Sequence, residues 1–285
     1  MEQYDILIVG GGAAGIAAAK ECVGAKVLLA DRRQKLGGVL LQCTHRGFGS
    51  NLSGIRYAEQ ITEDFPESTV LALNTTVLKI SPDRTAVLSG KEFGRKVVSF
   101  SQLILAAGCR EIPAGALPIG GTRPKGVYTA GQMQELMNLH GKIPEGPAVI
   151  LGSGDLGLIM ANQLARAGIS VTLVEKAGRC GGLARNRRCL REQPIRLICG
   201  DTVARLHGEK ELCGCTTRNG EYLPCRTLLI AVGLRPEREL VEALGQPDWL
   251  QLCGNCRSVH PIVESVTEEG QLAGRTAYER IRGGL

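Results

Sequence analysis

The 285-residue sequence predicts an α/β fold in which one strand–turn–helix–strand unit is used twice. Three observations predict it. An apolar run at residues 6–9 stops at Gly10, and Gly10, Gly12 and Gly15 then stand in G-x-G-x-x-G spacing before an alanine-rich stretch. The same order returns at residues 148–175, with Gly152, Gly154 and Gly157. Each copy closes on an acid: 21 positions separate Gly10 from Asp31, and 23 separate Gly152 from Glu175. This repeat is the most informative internal pattern in the chain.

In the first copy each glycine has its own mechanical reason. One makes a tight turn, one lets backbone approach a pyrophosphate, and one lets helix and strand pack closely. Residues 13–22 form a slim alanine-rich helix. Its N-terminus turns free N–H groups and the positive end of its dipole toward phosphate. Residues 26–30 are the second strand, and Asp31 ends it where a carboxylate accepts hydrogen bonds from an adenosine ribose. With the strand before, the helix after and the acid at the right distance, the motif reads as a dinucleotide site rather than as a glycine-rich turn of an ordinary α/β domain.

The chain continues with Arg32, Arg33 and Lys35, and then Gly37-Gly38, a pair that lets backbone pass close to a ligand. Cys43, Thr44, His45 and Arg46 lie in an irregular polar segment of the kind that carries reactive groups. Residues 55–65 predict an amphipathic helix. Residues 70–80 and 85–100 alternate as antiparallel strands, with turns at 81–83 and Gly90. Residues 102–107 are a short apolar strand ending at Ala106-Ala107-Gly108. Residues 113–124 are dense in Gly and Pro and read as a linker. A helix over 133–140 starts near Thr129, and 144–147 is another break.

The second copy follows. Its terminal Glu175 favours an unphosphorylated ribose, and so NAD over NADP, because a 2′-phosphate meets a like charge. A vestigial fold that binds nothing is the alternative for this copy. Residues 179–191 are basic and read as a solvated loop. Residues 195–225 alternate in strands, with turns at 207–208 and 219–220. Residues 227–232 form a third apolar run ending at Gly233, in parallel with 102–108. Residues 237–244 predict a short helix, 249–253 a strand ending at Gly254-Asn255, and 263–281 a final amphipathic helix with Gly270 near its first third.

Composition removes other classes. Hydrophobic residues make up 44%, enough for a sizeable core. Thirty-four basic against 28 acidic residues leave +6, unclustered, with a single Trp, so no nucleic acid is expected. No run of 18 apolar residues is present, so no membrane span is expected. The first strand starts at residue 4 or 5, which leaves no room for a signal peptide. The odd number of scattered cysteines, 11, is then expected as reduced thiols in the cytoplasm.

The order of motifs resembles the two-dinucleotide-domain flavoproteins of the pyridine nucleotide–disulfide oxidoreductase superfamily, at the size of thioredoxin reductase. The landmarks are Gly10/Gly12/Gly15/Asp31, LILAAG at 103–108, Gly152/Gly154/Gly157/Glu175, LLIAVGLRP at 228–236 and LQLCGN at 250–255. The resemblance implies two Rossmann-like, three-layer ββα domains, the second inserted in the first. Residues 1–112 and 238–285 would bind FAD, and 113–237 would bind NAD(H). It implies FAD contacts at Gly37, Gly38, Ala107, Gly108, Gly254, Asn255 and His260, and a nicotinamide-nucleotide contact at Gly233. Within the superfamily, LGGVLLQCTHRGFG and CGNCRSVHPIVESVTEEGQLAGRTA look like small flavoprotein subunits. These accompany an anaerobic glycerol-3-phosphate dehydrogenase-like flavoprotein and a small cysteine-containing protein. Subunits of opine oxidase and hydrogen cyanide synthase are more distant relatives.

The implied function is electron exchange between NAD(H) and a partner through FAD. One alternative is a flavin subunit of a glycerol-3-phosphate, amino-acid or opine dehydrogenase complex that does not use nicotinamide. Another is a non-catalytic supporting subunit. The departures from the pattern matter. Disulfide reductases carry C-x₄-C after the Gly-Gly, and here only Cys43 falls there. Asn255 replaces the usual Asp of the late FAD motif; it can still hydrogen-bond the cofactor but lacks charge. His45 and Arg46 follow the Gly-Gly loop, which in relatives passes the flavin ring, where a cation stabilises a reduced, anionic flavin. His45 reads equally as a satisfied turn residue, and Cys43 as a nucleophile or a small buried hydrophobe. Cys253 and Cys256 make a C-x-x-C whose only candidate metal partners, Cys213 and Cys215, have unusual C-x-C spacing, so no metal site is expected.

Overall fold

The computed structural model describes residues 1–283. It divides into two compact units, Met1–Arg110 with Arg235–Leu285, and Glu111–Leu234. The sequence boundaries of 112/113 and 237/238 lie two or three residues further along. Both units have helices on one face of a parallel sheet and antiparallel strands on the other.

In the first unit the parallel strands are Val70–Ala72, Val27–Ala30, Glu2–Val9 and Gly94–Leu105, in that spatial order, with Leu250–Leu252 added beside the last. Strand Glu2–Val9 is central. Its residues 6–9 are buried on both faces, which is why they read as a continuous apolar run. Ile6 and Ile8 face the helices Ala13–Lys20 and Val263–Arg282, while Leu7 and Val9 face the antiparallel layer. The two helices cross almost backbone to backbone. A Cβ on Gly270 would fall 2.2 Å from the Ala14 carbonyl oxygen, and one on Gly274 would fall 2.4 Å from that of Ala18. The helix glycine that the sequence singled out is therefore a packing residue.

Several boundaries shift. Residues 70–80 are two strands: Val70–Ala72 joins the parallel sheet, the chain breaks at Asn74 in the left-handed region (φ 50°), and Thr75–Ser81 starts the antiparallel layer. Thr85–Gly90 and Gly94–Leu105 are separate, and the latter runs unbroken through the apolar strand expected at 102–107. It alternates while one face is covered and turns continuously apolar where both are, which makes one strand look like two. Residues 237–244 give only a 3₁₀ turn, Glu242–Leu244.

The second unit has a five-stranded parallel sheet, ordered Val127–Thr129, Thr227–Ile230, Ala148–Leu151, Val171–Glu175 and Ile195–Cys199. Helices Ala130–His140 and Asp155–Arg166 pack on one face. On the other lies a sheet of Gly120–Gly121, Val203–His207, Gly214–Thr217 and Tyr222–Pro224. Thr129 starts its helix with a full capping box to Gln132. The expected linker at 113–124 is not a free linker: Ile119 is in the core and Gly120–Gly121 pairs with Val203–His207. A Cβ on Gly121 would fall 2.1 Å from the Leu206 carbonyl oxygen, so the glycines that suggested a linker serve close strand approach. Residues 179–191 hold two short helices, Ala184–Arg187 and Cys189–Glu192, with Cys189 buried. The region is thus not a simple solvated loop.

Candidate functional site

Each unit carries a cradle at the carboxyl end of its first central strand, and the two are built alike. In the first, Gly10 has φ 109°, and a Cβ there would fall 2.4 Å from the Ala106 carbonyl oxygen. A Cβ on Gly15 would fall 1.8 Å from the oxygen of Gly10. These two glycines are required by the protein itself. Gly12 is different: a Cβ there would meet nothing within 4 Å. It is the N-cap of helix Ala13–Lys20, with no side chain capping it. The helix amides therefore look onto open space that a side chain at Gly12 would fill. This is what a passing pyrophosphate needs, and the residues present fit FAD.

Asp31 is set by backbone. Its Oδ2 accepts from the Gly11 amide at 2.5 Å and its Oδ1 from the Arg33 amide at 2.6 Å. Gly37 and Gly38 fold over the same turn. The Gly37 amide donates to the Gly11 carbonyl at 2.7 Å, and a Cβ on Gly38 would stand 3.1 Å from Gly12 Cα. The Ala106 amide joins the Val9 carbonyl at 2.8 Å, and after Ala107 the chain turns at Gly108 (φ 77°), where a Cβ would meet nothing within 4 Å. Gly254 lies on the helix, its Cβ position 2.9 Å from that of Ala14. Asn255 Oδ1 accepts from the His260 amide at 2.9 Å, which leaves its NH₂ as the group available to a ligand.

Glu269, on the last helix, escaped the sequence reading. Its Oε2 accepts from the Gly254 amide at 2.8 Å, and its Oε1 lies 3.1 Å from Arg257 Nη1 and 3.3 Å from His260 Nε2. A carboxylate thus supports the late motif from behind the turn where Asn255 has lost one. Its place just before Gly270 was the only sequence signal.

The chemical candidates separate. Cys43 is 7% exposed, its thiol donates to the Val39 carbonyl at 3.3 Å, and burial pushes its pKa up to about 12. It is a thiol, not a thiolate, at neutral pH. His45 is half-buried with its ring centroid 5.1 Å from that of Phe48, and Arg46 is exposed on the strand Arg46–Phe48. Cys253 and Cys256 are buried on opposite faces of the sheet, and both thiols point at the Leu105 carbonyl, at 3.8 and 2.9 Å. Burial raises both pKa values. Cys213 and Cys215 belong to the other unit. Among the described residues, no group of three His, Cys, Asp or Glu side chains can hold a metal ion. Among them also, no helix is long and apolar enough to cross a membrane.

The second cradle repeats the first. A Cβ on Gly152 (φ 105°) would fall 2.3 Å from the Ala231 carbonyl oxygen, one on Gly157 would fall 2.1 Å from that of Gly152, and one on Gly154 would meet nothing within 4 Å. Ala231 joins Leu151 at 2.8 Å, as Ala106 joins Val9, and the chain then turns at Gly233 (φ 144°). Glu175 is held by more than backbone. Its Oε2 accepts from the Ser153 amide at 2.8 Å and the Ser153 hydroxyl at 2.7 Å, and its Oε1 from the Ala177 amide at 2.8 Å. Burial opposes ionisation, but the hydrogen bonds from Ala177 and Ser153 outweigh it and hold the carboxyl below its ordinary pKa. The result is an ionised carboxylate fixed at the end of strand Val171–Glu175, beside the glycine turn.

Residues 4–248 match the family model described as pyridine nucleotide-disulphide oxidoreductase. Over 214 residues the chain is 32% identical to the hydrogen cyanide synthase subunit HcnB of Pseudomonas protegens, covering 71% of this chain and 45% of that protein. It is 32% identical over 189 residues to an opine oxidase subunit of Agrobacterium tumefaciens, covering 61% of this chain and 37% of that one. The chain thus spans less than half the length of these relatives. Its fold superposes on a thioredoxin reductase from T. acidophilum with a TM-score of 0.80 at 17% identity, covering 98% and 99% of the two chains. The chain belongs to the pyridine nucleotide-disulphide oxidoreductase family, with a thioredoxin-reductase-like fold and cradles for FAD and a nicotinamide nucleotide.

Proposed function

We propose that this member of the family exchanges electrons between NAD(H) and a partner redox protein or dehydrogenase subunit through FAD. The observation that carries the reading is the pair of cradles. Both are closed wherever the protein needs glycine, and both are open at Gly12 and Gly154, where a cofactor does. FAD, when bound, supplies two-electron exchange with nicotinamide and onward transfer to the partner. The protein's share is positioning. The amides at the start of helix Ala13–Lys20 hold the pyrophosphate, Asp31 orients the ribose, and Glu175 selects the unphosphorylated nucleotide. His45 and Arg46 are the side chains we place beside the reduced ring, Arg46 as the cation, and Cys43 stays a buried thiol.

A partner is supported by the relatives, which are named as subunits. We assign as partners a glycerol-3-phosphate dehydrogenase-like flavoprotein and a small cysteine-containing protein. The odd number of cysteines, 11, is scattered without a small-domain disulfide framework, and we propose a reducing compartment, the cytoplasm. A second reading is a flavin subunit of a dehydrogenase complex that never meets nicotinamide; the names of the hydrogen cyanide synthase and opine oxidase subunits favour it. Anaerobic titration decides between them. NADH bleaches the flavin under the first reading. Only the partner's own substrate, with the partner present, bleaches it under the second.

A further inference from the structure

The second phosphate turn carries a side chain that its glycines do not explain. Ser153, between Gly152 and Gly154, has no exposed surface. Its hydroxyl donates to Glu175 Oε2 at 2.7 Å and accepts from the Gly181 amide at 2.8 Å, while its own amide donates to the same Oε2 at 2.8 Å. One side chain therefore joins the phosphate turn, the ribose-reading acid and the segment beyond it. Asp155, two residues on, holds the same segment: its Oδ1 accepts from the Leu183 amide at 2.7 Å and from Asn186 Nδ2 at 2.6 Å. In the first cradle the matching position is Gly11, which has no side chain and reaches Asp31 with its amide.

We propose that Ser153 is the positioning residue that gives the second cradle its selectivity for an unphosphorylated nucleotide, by pinning Glu175 in the ribose-reading position. The inference rests on the reading of this cradle as an NAD(H) site. A carboxylate offers about four acceptor directions on its two oxygens. Ser153 and Ala177 make three hydrogen bonds to it and the Lys176 backbone adds to them, so the acceptor capacity left for a ribose hydroxyl is fixed by these partners. A loose glutamate has side-chain freedom to lose on binding and can swing aside from a 2′-phosphate, so it both attracts NAD less and rejects NADP less. A pinned one can do neither. Selectivity therefore depends on the hydroxyl as well as on the charge.

The test is equilibrium binding by calorimetry on the intact chain, with ADP-ribose and 2′-phospho-ADP-ribose as probes. These carry the adenosine ends of NAD and NADP and cannot be reduced. Wild type is expected to prefer ADP-ribose about 10- to 100-fold. Ser153→Ala is expected to cut that preference at least about fivefold, mostly by weakening ADP-ribose, and Ser153→Thr, which keeps a hydroxyl, to restore it to within about twofold. Ser153→Ala also removes a donor that holds the Glu175 carboxyl below its ordinary pKa. Its remaining preference must then fade at a higher pH than wild type's as the buffer is acidified. Thermal melts of the three proteins separate these effects from misfolding. A Ser153→Ala protein with the wild-type preference, or a well-folded Ser153→Thr no better than Ser153→Ala, would overturn the proposal while leaving the NAD(H) reading intact. A wild type whose selectivity for ADP-ribose is lost in Ser153→Ala, but whose flavin NADH cannot reduce, removes the proposed reaction and supports the role of Ser153. Wild type that binds neither probe overturns both.

Discussion

The two cradles of this chain share their glycines and differ in how they hold their acid. Asp31 is fixed by the amides of Gly11 and Arg33, groups that every residue but proline supplies. Glu175 is fixed by two amides and the hydroxyl of Ser153. The surroundings differ too. Helix Ala13–Lys20 is clamped by the glycines of the last helix, whereas helix Asp155–Arg166 starts with an acid that ties down residues 183 and 186. The first acid is placed by groups that do not depend on side-chain identity, whereas the placing of the second depends in part on one hydroxyl.

The sharpest way to break this comparison lies inside one motif. Gly15→Val sets a side chain against the Gly10 carbonyl oxygen and costs about 3 kcal/mol or more of a total near 5–15 kcal/mol, so insoluble or unfolded protein is expected. Gly12→Val places its Cβ where no other atom lies within 4 Å and is expected to fold with a wild-type melting profile yet retain no FAD. Circular dichroism and flavin release on denaturation read the two effects. A Gly12→Val protein that keeps its flavin would end the assignment of that open space to pyrophosphate.

Next in size is the second cradle. Glu175→Ala is expected to lower the kcat/KM preference for NADH over NADPH about 10- to 100-fold, which is about 1.4–2.8 kcal/mol. Steady-state kinetics with both nucleotides check it, and an unchanged ratio would show that another group reads the ribose. The smallest effect belongs to Cys43. Cys43→Ser keeps a donor for the Val39 carbonyl in a site with no thiolate to lose, so flavin reduction is expected to stay within about threefold of wild type. Rapid alkylation of Cys43 at pH 8 in the folded protein would contradict that environment.

Much of this was legible in the residues. Both glycine motifs, both acids and the capped helix after Thr129 are local patterns, and local patterns survive folding. The Gly-Pro run at 113–124 misled because glycine serves a linker and a close strand contact equally, and only the neighbouring strand Val203–His207 decides. The split of residues 94–105 misled because burial on one face and then on both changes the period within a single strand. Glu269 and Ser153 were invisible for another reason. Their roles come from partners 15 and 22 residues away, joined only by the fold. The basic segment at 179–191 reads as solvated until Ser153 and Asp155 are seen to hold its backbone.

Electron exchange with NAD(H) is tested most directly by anaerobic titration of the purified flavoprotein with NADH and then NADPH, followed by absorbance. NADH is expected to bleach the flavin stoichiometrically, and NADPH to need at least about ten times the concentration. A flavin that neither nucleotide reduces would contradict the claim that this chain passes electrons between NAD(H) and a partner.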